Sequence, residues 1–110
     1  MRRIVAYGPY YQTFMASLRA DDQMKIRRAI LLFQTSDRVP WHYVKYVEEG
    51  IFEFRVSVTG KEARLFFIHD EGDTIVFFNC FIKKRKTLPH KEIAMAKKLK
   101  KQYEQSKQNL

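Results

Sequence analysis

Cysteine, proline and long hydrophobic runs are all scarce in this chain, and each scarcity closes off a class of protein. One cysteine among 110 residues, Cys80, cannot form an internal disulfide. It lies in an apolar run, where a small buried hydrophobe is a commoner use than a reactive thiol. His42, His69 and His90 are scattered and have no familiar ligand spacing with each other or with Cys80, so no metal site is expected. The three prolines and four glycines read as punctuation at turns, which leaves no flexible linker and one domain spanning 1–110. None of those glycines builds a phosphate loop or a dinucleotide fingerprint, so no cofactor is expected. A serine or cysteine triad has no local signature, although its parts need not be adjacent in sequence. No apolar run approaches the ~20 residues of a membrane helix, and Met1-Arg2-Arg3-Ile4-Val5 does not lead into a secretory signal. The expectation is a soluble cytoplasmic protein with no membrane partner.

Acidic residues are scarce in one place only. Residues 1–82 hold 11 Lys and Arg against 10 Asp and Glu, whereas residues 83–110 hold 10 against Glu92 and Glu104. The formal net charge of +9 is therefore almost wholly a property of the C-terminal quarter. A balanced body with a basic end points to a polyanion, either nucleic acid or an acidic protein segment. A solvated, lysine-rich terminal helix is the plainer alternative.

What is present is pattern. Hydrophobic residues make up 45% of the chain and aromatics 15%, enough for one packed core. Arg3 to Tyr7 reads as a first strand stopped by Gly8-Pro9, with Pro9 opening a helix. Tyr11, Phe14, Met15 and Leu18 recur at helical spacing, and a second helix follows from Asp21-Asp22 to about Gln34. The two form a helical hairpin over a sheet. Thr35 to Gly50 is the least regular stretch, interrupted by Pro40. There Trp41 could stack on a base, but pinning the loop to the body is the commoner use.

Phe52, Phe54, Val56 and Val58 alternate with Glu53, Arg55 and Ser57, which predicts a half-buried strand. Ala63 to His69 and Ile75 to Ile82 complete an antiparallel meander, the last read as a central strand covered on both faces. A final helix begins near Leu88-Pro89, with Ile93, Ala96, Leu99 and Tyr103 on one stripe, and frays near Ser106. The fold class is α+β.

With metals, nucleotide loops and thiols set aside, cationic chemistry remains. Arg64 sits in an otherwise hydrophobic strand, where an unpaired guanidinium is costly to bury. It must pair with Glu53 or Glu62, reach solvent, or point into a site. Lys83, Lys84, Arg85 and Lys86 emerge together from a strand end, as a phosphate site or a solvated terminus. Arginines and lysines without a metal can cleave RNA through its own 2′-hydroxyl. A base takes the proton, guanidinium groups stabilise the phosphorane, and an acid protonates the 5′ oxygen. Crowded cations are one way to lower a lysine pKa far enough for it to act as that base.

In order, Gly50, Phe52, Glu53 and Arg55, then Ala63-Arg64-Leu65-Phe66-Phe67, then Asn79-Cys80-Phe81-Ile82-Lys83-Lys84, resemble the RelE/ParE superfamily of bacterial toxins. Thr87-Leu88-Pro89 and Lys91-Glu92-Ile93 extend the similarity over nearly the whole chain, most nearly to the HigB-like, phage-derived branch. The resemblance implies a RelE-like fold: an N-terminal strand and helical hairpin on a small, mainly antiparallel sheet, with a C-terminal helix. It implies the toxin of a type II toxin–antitoxin module, a metal-independent, ribosome-dependent mRNA endoribonuclease acting in the ribosomal A site. Its partners would be mRNA, ribosomal RNA and a HigA-like antitoxin with a helix-turn-helix domain, operator DNA being reached only through the antitoxin. Arg55 and Arg64 match the family's phosphate-contacting arginines, Lys83 and Lys84 its basic residues at the sheet end, and His90 is the candidate acid or base. Arg85, Lys86, Lys91, Lys97, Lys98 and Lys101 are the residues expected to touch ribosomal RNA. The alternatives are a ParE-like gyrase inhibitor that cuts nothing and a non-catalytic RNA- or protein-binding module.

Overall fold

The computed structural model describes residues 1–84 and 86–108. Its elements are β1 (Arg3–Ala6), α1 (Tyr10–Ala16), α2 (Ala20–Thr35), β2 (Val44–Glu48), β3 (Ile51–Val58), β4 (Lys61–His69), β5 (Thr74–Lys83) and α3 (His90–Gln108). The strands form one sheet in the order β1-β5-β4-β3-β2, with β1 parallel to β5 and every other pair antiparallel. This is an α+β fold of the RelE-like type.

Strand alternation sorts the side chains into two cores. On one face Phe54, Val56, Val58, Ala63, Leu65, Phe67 and Phe77 pack under α1 and α2, against Phe14, Met15, Ile26, Ala29 and Phe33. Phe33 is fully buried, stacked on Phe54 at 5.3 Å between ring centroids and 5.4 Å from Phe67. On the other face Ile51, Phe66, Ile68, Val76 and Phe78 lie under Ile93, Ala96 and Leu99 of α3. The middle strand, β4, is therefore buried from Ala63 to Ile68.

The fold differs from the sequence expectation in four places. The stretch read as irregular contains β2, an edge strand in which only Val44 is buried, so no apolar alternation announces it. It enters β3 through Glu49-Gly50, both at positive φ (53° and 78°), the backbone of a tight hairpin turn that favours glycine. Trp41 does not pin the loop, being 66% exposed. Tyr43 does, with its ring 5.7 Å from Phe54 and its N–H donated to Pro40 O at 2.8 Å. β5 is second in the sheet rather than central; its apolar run reflects cover on both faces, not a middle position. Lastly, α3 does not fray near Ser106. Tyr103 Oη donates to Asp70, and Lys107 Nζ donates to both Asp70 carboxylate oxygens at 2.9 Å, fixing the last turns to the β4–β5 turn.

Two polar contacts set the position of α2. Arg2 donates to Phe33 O at 2.7 Å near the helix C-terminus, satisfying one of the terminal carbonyls. Asp22, in the first turn, accepts from Thr59 N at 3.1 Å and Thr59 Oγ1 at 2.8 Å, tying α2 to the β3–β4 turn. Those bonds hold the Asp22 carboxyl below its usual pKa. The hairpin that carries Arg55 and Arg64 is thereby fastened to the helix beside it.

A candidate anion-binding cleft at the open edge of β3

Arg55 and Arg64 are register partners across β3 and β4, so their side chains leave the same face of the sheet. The pairs on either side along that face are Ser57–Glu62 and Glu53–Phe66, and Glu62 in turn faces Lys83 across β5. It is the face that carries α3, but neither arginine is among the residues packed beneath that helix.

The arginines are not equivalent. Arg55 keeps 42% of its side chain exposed. Arg64 is 6% exposed and Glu53 7%, a buried ion pair with Arg64 Nε 3.4 Å from Glu53 Oε1. Glu53 Oε1 also lies 3.8 Å from Arg55 Nε, and Arg64 Nη1 donates to Glu62 Oε2 at 3.3 Å and to Ala63 O at 3.1 Å. Arg64 Nε has no hydrogen-bond partner despite its nearby carboxylate. Ser57 Oγ sits 2.9 Å from both oxygens of Glu62. That hydroxyl first, and Arg64 after it, hold the Glu62 carboxyl below its ordinary value. Two guanidinium groups and two carboxylates sum to zero, so this quartet alone presents no net positive charge.

The positive charge comes from across a cleft. β2 ends its pairing with β3 at Phe54, after which only Arg55 N–H is taken up, by Tyr43 O. Beyond that point the edge of β3 is open, and a cavity of about 740 Å³ runs along it. One wall is Lys25, Arg28, Ala29 and Leu32 of α2; the turn before β2 adds His42 and Tyr43; the other wall is Arg55, Val56, Ser57, Glu62 and Arg64. Lys25, Arg28 and His42 are exposed, and sequence reasoning missed all three. The first two read only as the polar side of an amphipathic helix, and His42 belongs to a stretch with no periodicity.

The remaining candidates disperse. Lys83 is half-buried on the arginine face but lines a separate hollow of about 130 Å³ with Glu53, Leu88, Pro89 and Ile93. Lys84 is exposed and borders a groove between α1 and the start of α3. His90 is the exposed first residue of α3 and does not line the arginine cleft. Lys86, Lys91, Lys98 and Lys101 are exposed, and Arg85 lies outside the described residues. Lys97 is 2.8 Å from both Glu48 and Glu49, and those hydrogen bonds push its pKa to about 12. Burial pushes the Cys80 thiol to about 12, which leaves it almost entirely un-ionised near neutrality.

Among the described residues, no three His, Cys, Asp or Glu side chains are grouped to hold a metal ion, and no helix is long and apolar enough to cross a membrane. What the cleft can do is hold a phosphate against Arg55, with Arg64 behind it and an imidazole at the rim. No curated protein matches the sequence. Residues 13–101, from α1 into the fourth turn of α3, match the family described as Phage derived protein Gp49-like (DUF891), which is associated with RelE-like toxins, and the chain belongs to that family.

Proposed function

We propose that this protein is the toxin of a type II toxin–antitoxin module and cleaves mRNA on the ribosome without a metal. The observation that carries the reading is the register pairing of Arg55 with Arg64, both lining one cleft with His42. In that cleft the exposed guanidinium of Arg55 grips the non-bridging oxygens of the scissile phosphate. Arg64, held rigidly by Glu53 and Glu62, fixes the wall behind Arg55 as the phosphorane forms. The 2′-oxygen bonds to phosphorus and its proton passes to a base. The bond to the 5′ oxygen breaks and that oxygen takes up a proton, giving a 2′,3′-cyclic phosphate and a 5′-hydroxyl. The candidate bases expected from the sequence, Lys83 and Lys84, lie outside the cleft, Lys83 on the same face of the sheet, so either would have to be brought to the phosphate by the bound RNA. His42 joins His90 as candidate acid because it already borders the arginines, whereas His90 does not line the cleft. An antitoxin with a helix-turn-helix domain would neutralise the protein and link it to operator DNA.

The test is induced expression in bacteria with mapping of 5′ ends on cellular mRNA, for the wild type and for Arg55→Ala, His42→Ala and His90→Ala. New ends in register with codons are expected, lost with Arg55→Ala and with one of the two histidine variants. Intact mRNA, or ends unchanged by Arg55→Ala, overturns the reading. A second reading is favoured by the two carboxylates that already occupy Arg64. On that reading the face binds a protein or polyanion and cuts nothing, as a gyrase-directed toxin would. Filamentation and a DNA-damage response with intact mRNA would establish it.

A further inference from the structure

The α2 wall of the cleft carries an arrangement that the cleavage chemistry does not use. Lys25, Arg28 and Leu32 follow one another at spacings of three and four residues, so they form one stripe along the helix above the open edge of β3. Lys25 and Arg28 are exposed, and neither has a carboxylate within ion-pair distance among the described residues. At the rim, the turn from Pro40 to Tyr43 sets the His42 ring 4.1 Å from that of Tyr43. The residue just before, Trp41, is 66% exposed, the most exposed of the large aromatic side chains. An indole left in water beside a cationic groove is an unpaired apolar surface next to an unpaired charge.

We propose that this stripe and this turn form a track for single-stranded RNA flanking the scissile phosphate. Lys25 and Arg28 contact backbone phosphates, and an unstacked base lies on Trp41. Single-stranded nucleic acid supplies both halves of the match, because its phosphates alternate with open base faces that a cation–aromatic surface can hold without reading sequence. A duplex hides those faces inside its stack. An acidic peptide offers carboxylates to Lys25 and Arg28 but no flat partner for the indole. The track rests on the cleavage reading only for which phosphate is scissile, and it is tested by binding alone.

Trp41 is the one tryptophan in the chain, so its emission reports on this site without a label. The probe is a short 2′-O-methyl RNA, which cannot be cut by 2′-hydroxyl attack, titrated into the full chain at several salt concentrations. Saturable quenching of Trp41 is expected. In Lys25→Ala/Arg28→Ala the affinity should fall at least tenfold, and the slope of log K against log salt should flatten by about 1.4, roughly 0.7 for each lost phosphate contact. With a fluorescein-labelled oligomer, Trp41→Ala should bind about tenfold more weakly, the loss of one base stack. All three side chains are exposed, so unchanged circular dichroism is expected of both variants. Unaltered Trp41 emission with unaltered affinity in the variants would overturn the track. Equal quenching by a polyglutamate peptide or by duplex RNA would overturn it too, and would identify a surface that senses charge alone. If quenching and variant effects appear but induced expression leaves cellular mRNA whole, the cleavage reading fails and the track stands.

Discussion

Removing the Glu53 carboxylate should damage this protein far more than removing both members of the pair to which it belongs. Arg64 Nε lies 3.4 Å from Glu53 Oε1, and both residues are over nine-tenths buried. At an effective dielectric of ~20, unit charges at that distance attract by about 5 kcal/mol. Withdrawing the two ions from water offsets most of this, because desolvation of each is several kcal/mol. The intact pair is therefore close to neutral for stability. Glu53→Ala leaves the desolvation of Arg64 in place and deletes the attraction. The usual range for such a loss is about 3–5 kcal/mol, and the surviving Glu62 contact at 3.3 Å argues for about 3. For a domain of this size that lowers Tm by on the order of 15 °C. Arg55, 42% exposed and 3.8 Å from the same oxygen, can turn to water and should add little to the loss. Glu53→Leu/Arg64→Leu removes both charges, and its Tm should stand within a few degrees of the wild type.

Thermal denaturation followed by circular dichroism, at fixed salt, measures all three proteins, and the single variants Glu53→Leu and Arg64→Leu close the double-mutant cycle. A Glu53→Ala Tm within about 3 °C of wild type would mean that the guanidinium escapes to water and is not a buried charge. A double variant as weak as the single would mean that packing, not charge, makes Glu53 necessary.

Other consequences are more direct. Phe33→Ala opens the centre of the larger core under α2 and should destabilise the protein by about 3–5 kcal/mol in urea denaturation. Asp70 accepts from Tyr103 and Lys107, and those bonds, the tyrosine's first, depress its pKa. A depressed carboxylate pKa stabilises the fold above the ordinary value of ~4, and the contribution is lost as pH falls through the folded pKa. The Tm gap between wild type and Asp70→Asn should therefore be full at neutral pH and close below about pH 4. The Cys80 thiol, at about 12, should react with a disulfide reagent at pH 7 more than a thousandfold slower than a free thiol, until denaturant is added.

The meander and the helical hairpin were legible because periodicity and burial coincide in them. Phe52 to Val58 alternates, Tyr11 to Leu18 and Ile26 to Phe33 repeat at helical spacing, and Ile75 to Ile82 is apolar because each of its faces meets a helix. β2 was not legible, since an edge strand with one buried residue has no alternation to display. The two arginines could be placed on one face only after the register was known, because a slip of one residue inverts a strand. Lys25, Arg28 and His42 reach the cleft through tertiary structure alone: the short β2 leaves an edge open and Asp22 fastens α2 beside it.

The basic C-terminal quarter divides into two kinds of lysine that the sequence does not distinguish. Lys97 bridges Glu48 and Glu49, Lys100 donates to Glu49 O, and Lys107 donates to Asp70. These three fasten α3 to the β2–β3 and β4–β5 turns, and the charges of Lys97 and Lys107 are answered by carboxylates within the fold. Lys91, Lys98 and Lys101 remain exposed without such partners among the described residues. A polyanion drawn to the chain by its net charge of +9 therefore meets fewer free cations on α3 than composition suggests. It also meets two more, Lys25 and Arg28, on the far side of the molecule's arginine cleft. Added salt should weaken binding at both places, but only at the cleft does an aromatic ring remain to hold a base once the phosphates are screened. The residual affinity at high salt thus separates a groove that recognises single strands from a helix that merely attracts them.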